Sequence, residues 1–324
     1  MTAKPDRQTV MVTGATGFVG RALVDRLASD PRFVVRAASR SANPDWPQSV
    51  EPIQVEDLGG NPNYAEALRG VSCLIHAAAR VHVSAKSAPD ADALASFHSV
   101  NVVGTRQLAT QAAHAGVHRF IFVSSVKVNG TSTEPGEPFR MSAIPRPQCA
   151  YGISKWQAEQ ALWQVAADTG LEVVVVRPPL AYGPGAKANV LRLMRLVDQG
   201  WPLPLAAVDN RRSLVALDNL VDLLTHCIDH PAAPGHAFLV SDGHDLSTPE
   251  LIRGLAQAMG RPARLFRVPL PLLRTAGQLS GRLGEFQRLT DSLQVDIRPT
   301  CAILEWEPPV SVHEGLLRAV AGRS

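Results

Sequence analysis

The run Thr13-Gly14-Ala15-Thr16-Gly17-Phe18-Val19-Gly20 sets three glycines at G-x-x-G-x-x-G spacing, after an apolar β-branched run at 9–13 and before a helical pattern at 19–28. Glycine tolerates a tight turn and lets backbone N–H groups approach a ligand closely, and the helix N-terminus that follows attracts anions. In a strand–loop–helix setting this spacing reads as a cradle for the pyrophosphate of a dinucleotide, with Gly14, Thr16, Gly17, Phe18, Val19 and Gly20 as its contacts. The plainer alternative is a tight turn with no ligand.

The same alternation continues along the chain. Short strand-like runs at 33–38, 53–55, 73–76, 120–124 and 173–177 are continuous apolar stretches, the pattern of parallel strands buried on both faces. Helical patterns at 64–68, 92–115 and 151–167 lie between them. Repeated β-α-β units with right-handed crossovers predict an α/β fold, a Rossmann doubly wound parallel sheet. After 177 the rhythm loosens into Pro178-Pro179, a Gly183-Pro184-Gly185 loop, and helical patterns at 190–197, 218–228 and 248–259. Thr248 reads as the N-cap of the last, with Pro249 at the first helical position. We therefore expect a Rossmann domain over 1–178, completed by a strand near 236–241, and a smaller, mainly helical C-terminal substrate lobe over 179–324. The apolar, leucine-rich stretch 269–293 belongs to that lobe or forms a dimer or partner surface.

Composition narrows the function classes. The 324 residues are 45% hydrophobic and 19% charged, with 32 basic against 29 acidic residues, so no polyelectrolyte partner is implied and nucleic acid binding has no support. No apolar run is long enough to span a membrane, and no leader precedes a cleavage site. The expectation is a cytoplasmic protein. Cys73, Cys149, Cys227 and Cys301 are widely separated, which suits free thiols in a reducing compartment. The ten histidines show no ligand spacing; the i,i+4 pair His114/His118 lacks an acidic companion, so no metal is expected.

The second strand-like run ends Ala37-Ala38-Ser39-Arg40. NAD-preferring folds usually place a carboxylate there for the ribose hydroxyls; Ser39 and Arg40 instead leave room for a 2′-phosphate, which the guanidinium can pair. NADP(H) is the preferred cofactor on this reading, and NAD(H) stays open. Asp57, after the third strand, is positioned to accept from the adenine amino group.

Tyr151-Gly152-Ile153-Ser154-Lys155 puts a tyrosine and a lysine four apart at a helix start, on one face. With three tyrosines and five lysines in the whole chain, that spacing is a rare coincidence. Ser124-Ser125 ends the fifth strand, where ligands bind in open α/β sheets. A lysine ammonium beside a phenol, together with the positive charge of an oxidised nicotinamide, lowers its pKa toward neutrality, so Tyr151 reads as the proton-transfer group, Lys155 as its electrostatic support and Ser125 as the hydroxyl that orients the reacting oxygen. Cys149 has no partner base and reads as a lining residue. Lys127, Arg80 and His82 are candidate contacts to substrate phosphate or sugar, or solvated loop residues.

Through the 14–20 glycine loop, Ser125 and Tyr151/Lys155, the chain resembles the extended short-chain dehydrogenase/reductase superfamily, in its NAD-dependent epimerase/dehydratase branch, over nearly its whole length. The resemblance implies a nucleotide-sugar enzyme. It implies Ala77, Ala78 and Ala79 along the cofactor groove, with Leu58 and Pro178, and Asn101 near the active centre. Tyr151 and Lys155 would touch the cofactor as well as the substrate. Asn189 and Arg212 would hold the diphosphate part of a UDP-sugar, to which an arginine fork is suited, with Lys127 nearby. A homodimer pairing the 92–115 and 151–167 helices is also implied.

Val126 and Lys127 occupy the positions where a 4,6-dehydratase carries its Asp–Glu pair, so dehydration is not expected. A C4 reductase and a C4 epimerase each need only Ser125, Tyr151 and Lys155. Ser125-Val126-Lys127-Val128-Asn129-Gly130, Arg177-Pro178-Pro179-Leu180, Lys187-Ala188-Asn189 and Asn210-Arg211-Arg212-Ser213-Leu214 resemble a bacterial O-antigen subgroup. That subgroup is similar to reductases converting UDP-4-keto-6-deoxy-N-acetylglucosamine to UDP-N-acetylquinovosamine, and its members are also described as UDP-glucose 4-epimerases. Leu180 stands where galactose epimerases carry an amide, which points to a 6-deoxy sugar. The expected activity is therefore NADPH-dependent 4-ketoreduction in polysaccharide biosynthesis. The alternatives are a 4-epimerase with tightly bound NAD and, from another class, a dinucleotide-binding sensor without turnover.

Overall fold

A computed structural model of the chain describes residues 7–41, 45–60, 62–81, 90–186, 189–281 and 283–322. Its strands are β1 (Gln8–Thr13), β2 (Phe33–Ser39), β3 (Val50–Gln54), β4 (Cys73–His76), β5 (Arg119–Val123), β6 (Glu172–Arg177), β7 (Leu180–Tyr182), β8 (Leu214–Ala216) and β9 (Ala237–Leu239). Seven of them form one parallel sheet in the order β3-β2-β1-β4-β5-β6-β9, and β7 and β8 pair separately. The order reverses between β1 and β4, which is the crevice where open α/β sheets bind their ligands.

The first five helices, α1 (Phe18–Ala28), α2 (Ala65–Leu68), α3 (Asp90–Phe97), α4 (Thr105–His114) and α5 (Ala150–Thr169), come from crossovers between sheet strands. Alternation along β1 sends Val10 and Val12 to one face and Met11 to the other. On the first face they pack with Leu23, Leu27 and Phe238, beneath α1 and a later helix, α7. On the second, Met11 joins Leu74, Phe120, Leu108 and Leu162 under α4 and α5. With both faces covered, β1 reads as an unbroken apolar run. Gly170, at φ +76°, ends α5 in the left-handed conformation.

Beyond β6 lie α6 (Asn189–Asp198), α7 (Leu217–His226), α8 (Thr248–Ala258), α9 (Leu270–Leu279), α10 (Leu283–Thr290), α11 (Arg298–Leu304) and α12 (Val312–Ala321). A third core joins α6, α8, α9 and α12 through Met194, Ile252, Leu255, Leu273 and Leu316. α7 instead lies against α1 on the sheet, with Leu220, Leu223 and Leu224 buried there.

Several elements differ from the sequence reading. The 92–115 helix is three pieces: α3, a π-helical segment His98–Gly104, and α4. The N-cap of α8 is Ser247, one residue earlier than expected. Its hydroxyl accepts from Glu250 N–H at 3.2 Å while the Glu250 carboxylate accepts from Ser247 N–H at 2.7 Å, a reciprocal box that outcompetes Thr248. Thr248 is drawn elsewhere, its hydroxyl donating to the Leu289 carbonyl at 2.6 Å. The 269–293 stretch holds two helices, with Gly281 at φ +66° between them and Phe286 packed against Gly277. The strands β7 and β8 and the helices α11 and α12 were not foreseen. Among the described residues, no helix is long and apolar enough to cross a membrane.

Candidate active site

At the C-terminal end of β1 the chain turns through Gly14, whose φ is +67°; a Cβ there would meet the Ala78 nitrogen at 2.6 Å. A Cβ on Gly20 would meet the Gly14 carbonyl oxygen at 2.1 Å, so the helix start is packed tightly onto the loop. α1 begins at Phe18 with no side-chain cap and no acidic residue in its first turn. Its first N–H groups thus have no anionic side chain of their own and suit a pyrophosphate.

A cavity of about 420 Å³ opens in front of this loop. Of the sequence-predicted cofactor residues, Gly14, Thr16, Gly17, Ser39, Arg40, Asp57, Leu58 and Ala77 to Ala79 line it; Phe18, Val19, Gly20, Pro178, Tyr151 and Lys155 do not. Phe18 and Val19 pack on the sheet core instead. A larger surface cavity of about 590 Å³, beside Pro62, Arg69 and His114, touches none of the sequence-predicted residues. Arg80, expected at the substrate, lines the dinucleotide cavity instead; Tyr64 and Val100 also line it and were missed, because their places depend on helix register that sequence spacing does not fix.

At the rim of the cavity the exposed Arg40 guanidinium pairs through Nη1 with the Asp57 carboxylate at 2.9 Å. Asp57 Oδ1 also accepts from Gly59 N–H at 2.9 Å, and this hydrogen bond, with Arg40, holds the carboxyl below the usual range. Asp57, expected at the cofactor, thus also stands beside the end of β2, where the sequence shows no carboxylate, and Glu56 lines the same cavity.

Ser125 follows β5 and caps the 3-10 turn Val126–Val128, its Oγ accepting from Lys127 N–H at 3.3 Å. That turn lies close against the start of α5, where a Cβ on Gly152 would meet the Lys127 carbonyl oxygen at 2.5 Å. Tyr151 is half-buried on this first turn. The Phe97 ring meets it edge-on at 6.2 Å, and Lys127 Nζ stands 5.9 Å from its ring centroid. Lys155, one turn on, is 1% exposed, its Nζ 3.8 Å from the Phe122 ring centroid.

Burial pushes the Tyr151 phenol up to about 12 and the Lys155 ammonium down to about 7, Glu159 pulling the latter back. In the protein alone Lys155 Nζ faces the Phe122 ring, and burial dominates at Tyr151. His76, between the hydroxyls of Thr13 (2.6 Å) and Thr105 (3.0 Å), is pushed down to about 3 by burial, then by Lys155, and stays neutral.

Asn101, in the π-helical segment, is buried. It accepts from Arg80 N–H at 2.8 Å and donates to the Arg80 carbonyl and to Ser154 Oγ, both at 3.0 Å. It ties the cofactor loop to α5 immediately before Lys155. The Pro178 carbonyl accepts from Val126 N–H at 2.9 Å, joining the end of β6 to the Ser125 turn. Cys149 caps α5, its Sγ accepting from Gly152 N–H at 3.4 Å.

The expected substrate residues are less gathered. Lys127 is exposed; Arg212 is half-buried, its Nη1 donating to the Asp291 carbonyl at 2.9 Å, and burial lowers its pKa. Asn189 opens α6, but its side chain lies outside the described residues, as do His82 and the Lys187-Ala188 pair. Among the described residues no cluster of His, Cys, Asp or Glu could hold a metal.

A parallel sheet reversing at a glycine cradle defines a Rossmann-type dinucleotide-binding fold, and the matching family and relatives make the chain an enzyme of the extended short-chain dehydrogenase/reductase type. The chain belongs to the NAD dependent epimerase/dehydratase family, whose sequence model matches residues 10–241. It is 44% identical to the UDP-glucose 4-epimerase of Vibrio cholerae over 95% of this chain and 93% of that protein. The structure of UDP-glucuronic acid 4-epimerase from Bacillus cereus in complex with NAD superposes with a TM-score of 0.79 at 19% identity, covering 97% of this chain and 96% of that one. MoeE5 in complex with UDP-glucose and NAD gives 0.77 at 25% identity, covering 97% and 98%.

Proposed function

We propose that the protein is a UDP-sugar 4-epimerase working with NAD(H), in preference to the NADPH-dependent 4-ketoreductase that its sequence alone suggested. The observation that carries this reading is the likeness, at 44% identity over nearly both full lengths, to a UDP-glucose 4-epimerase. The rim of the cofactor cavity supports it. With Asp57 ionised against Arg40, a 2′-phosphate would meet a carboxylate, whereas ribose hydroxyls could donate to it.

When bound, NAD supplies reversible oxidation at the sugar C4. In this reading Ser125 Oγ hydrogen-bonds the C4 oxygen and holds it toward Tyr151. Tyr151 Oη takes the proton of the C4 hydroxyl in the first half of the cycle and, after the 4-keto sugar has turned to present its opposite face, returns a proton to the C4 oxygen. Lys155 supplies positive potential beneath the phenol. Its buried ammonium, near its own midpoint at neutral pH, makes that support sensitive to charge brought in by the ligand. Arg212, Asn189 and Lys127 hold the diphosphate side, and two copies pair through the α4 and α5 region.

The test is conversion of UDP-glucose to UDP-galactose by purified protein without added cofactor, followed by acid hydrolysis of the quenched UDP-hexoses and coupled oxidation of the galactose so released. Turnover is expected, and Tyr151→Phe should lower it by about 10²- to 10⁴-fold. Consumption of NADPH with UDP-4-keto-6-deoxy-N-acetylglucosamine, and no interconversion, would restore the reductase reading.

A further inference from the structure

Glu159 lies one turn beyond Lys155 on α5 and is fully buried, in a stretch whose neighbours Ala158 and Leu162 belong to the core. Its Oε1 accepts from the Ser124 hydroxyl and from Arg177 Nε at 3.0 Å, and its Oε2 accepts from Arg177 Nη2 at 2.6 Å. Arg177, 3% exposed, extends Nη1 to Asn129 Oδ1 at 3.4 Å. Each contact falls beside a residue of the proposed site. Ser124 precedes Ser125, Arg177 precedes Pro178, and Asn129 follows the turn that Ser125 caps. Main-chain bonds bring the same segments together, Ser124 N–H to the Val176 carbonyl at 2.7 Å and Val126 N–H to the Pro178 carbonyl at 2.9 Å.

Two buried charges are an expensive way to hold a core, since apolar residues of similar volume often serve stability as well or better. Asn129 Nδ2 is also buried without a partner, so the network is not optimised for stability alone. What the ion pair provides and apolar packing does not is direction, because a bidentate fork fixes the angle between α5 and the ends of β5 and β6.

We propose that Glu159, clamped by Arg177, is a positioning residue that sets Lys155 and Tyr151 on α5 against Ser125 and Pro178 at the strand ends. It touches neither substrate nor cofactor and acts through Ser124 and the helix. The inference rests on the catalytic roles proposed above for Ser125, Tyr151 and Lys155.

The decisive variant is Glu159→Met/Arg177→Met, which removes both charges together at similar volume and so avoids stranding one of them. We expect its melting temperature to stay near that of the wild type while kcat on UDP-glucose falls about 100-fold and KM changes by no more than about twofold, as for a misplaced rather than a missing group. NADH affinity, read by fluorescence titration, should weaken by about tenfold as Lys155 and Pro178 shift. Wild-type kcat and wild-type NADH affinity in this variant would overturn the proposal and leave the pair as structural packing. Should the double variant not fold, Ser124→Ala removes only the hydroxyl link. A kcat loss of roughly tenfold at unchanged KM is then expected, and an unchanged kcat overturns the proposal. A wild type that binds NADH but turns over no UDP-glucose would sink the proposed reaction, while the NADH affinity of the variants would still judge the positioning.

Discussion

Lys155 is an ammonium carried into the core. Its folded pKa, about 7, lies below the 10.5 of an exposed lysine because burial disfavours the charged form. The unfolded chain therefore binds more protons than the folded one between those values, and this group's contribution makes stability rise with pH across that window. Below about pH 7 the full penalty stands. Lys155→Met removes it, so this variant should be more stable than the wild type at about pH 6, by on the order of 5 kcal/mol, with the advantage shrinking steadily toward pH 10.5. Urea melts of both proteins across that range check it; parallel curves would refute the burial argument. The same variant should lack turnover, a residue kept for chemistry at the expense of stability. The Tyr151–Lys155 spacing was legible in the sequence because it is local, four residues on one helix. The surroundings that set the two pKa values were not. Phe122 and His76 come from β5 and β4, and only the folded sheet brings them to Lys155 and to Glu159, its neighbour one turn on along α5.

At the scale of elements, the segment from α3 to α4 joins the cavity in front of the glycine loop to α5, through Val100 and Asn101. The π-helical turn His98–Gly104 re-aims Asn101 toward Arg80 and Ser154, and it ends at Gly104, where a Cβ would meet the Leu58 carbonyl oxygen at 2.7 Å. Leu58 lines the dinucleotide cavity and belongs to the 3-10 turn Leu58–Gly60, so any push at Gly104 moves the cavity wall. Gly104→Ala should raise the NADH Kd by about tenfold, near 1.4 kcal/mol, with little change in far-ultraviolet circular dichroism. An unchanged Kd would mean the wall can yield freely. The sequence read the 92–115 stretch as one helix because nothing in its apolar period reports the contact of Gly104 with Leu58, 46 residues upstream. By contrast, β1, β4, β5 and β6 were legible almost to the residue, since burial on both faces leaves an unbroken apolar run. β7 and β8, three residues each, are too short to show any period, and their pairing joins segments more than 30 residues apart. The strand–loop–helix setting of the glycine loop was legible, but the Arg40–Asp57 pair was not, because it links the ends of different strands across the cavity rim.

The whole molecule depends on a polar joint between the sheet and the third core. Asp242, just past β9, is buried, and three donors converge on it. Tyr182 Oη from β7 reaches Oδ2, while Ala216 N–H at the end of β8 and Asn219 Nδ2 from α7 reach Oδ1, each at 2.7 Å. Asn219 passes the link on, exchanging hydrogen bonds of 2.8 Å with both the N–H and the carbonyl of Val310, just before α12. Burial raises the Asp242 carboxyl above its usual range while the three donors oppose the shift, so the group is kept as an acceptor rather than as a stabilising charge. Asp242→Ala strands the Ala216 N–H and the Tyr182 and Asn219 donors in a buried joint, and should cost about 3 kcal/mol. Asp242→Asn keeps one oxygen for Ala216 and Asn219 and turns an amide to the Tyr182 hydroxyl, which can accept from it, so its cost should be nearer 1 kcal/mol. Trp306, buried against the sheet core with Nε1 donating to Asp222 at 2.8 Å, reports unfolding through its fluorescence in urea. If the alanine and asparagine variants unfold at the same urea concentration, apolar packing of the third core and not the shared carboxylate holds the two parts together. A clear gap between them assigns the joint to hydrogen bonds, which fix how α12, β7 and β8 are set against the sheet.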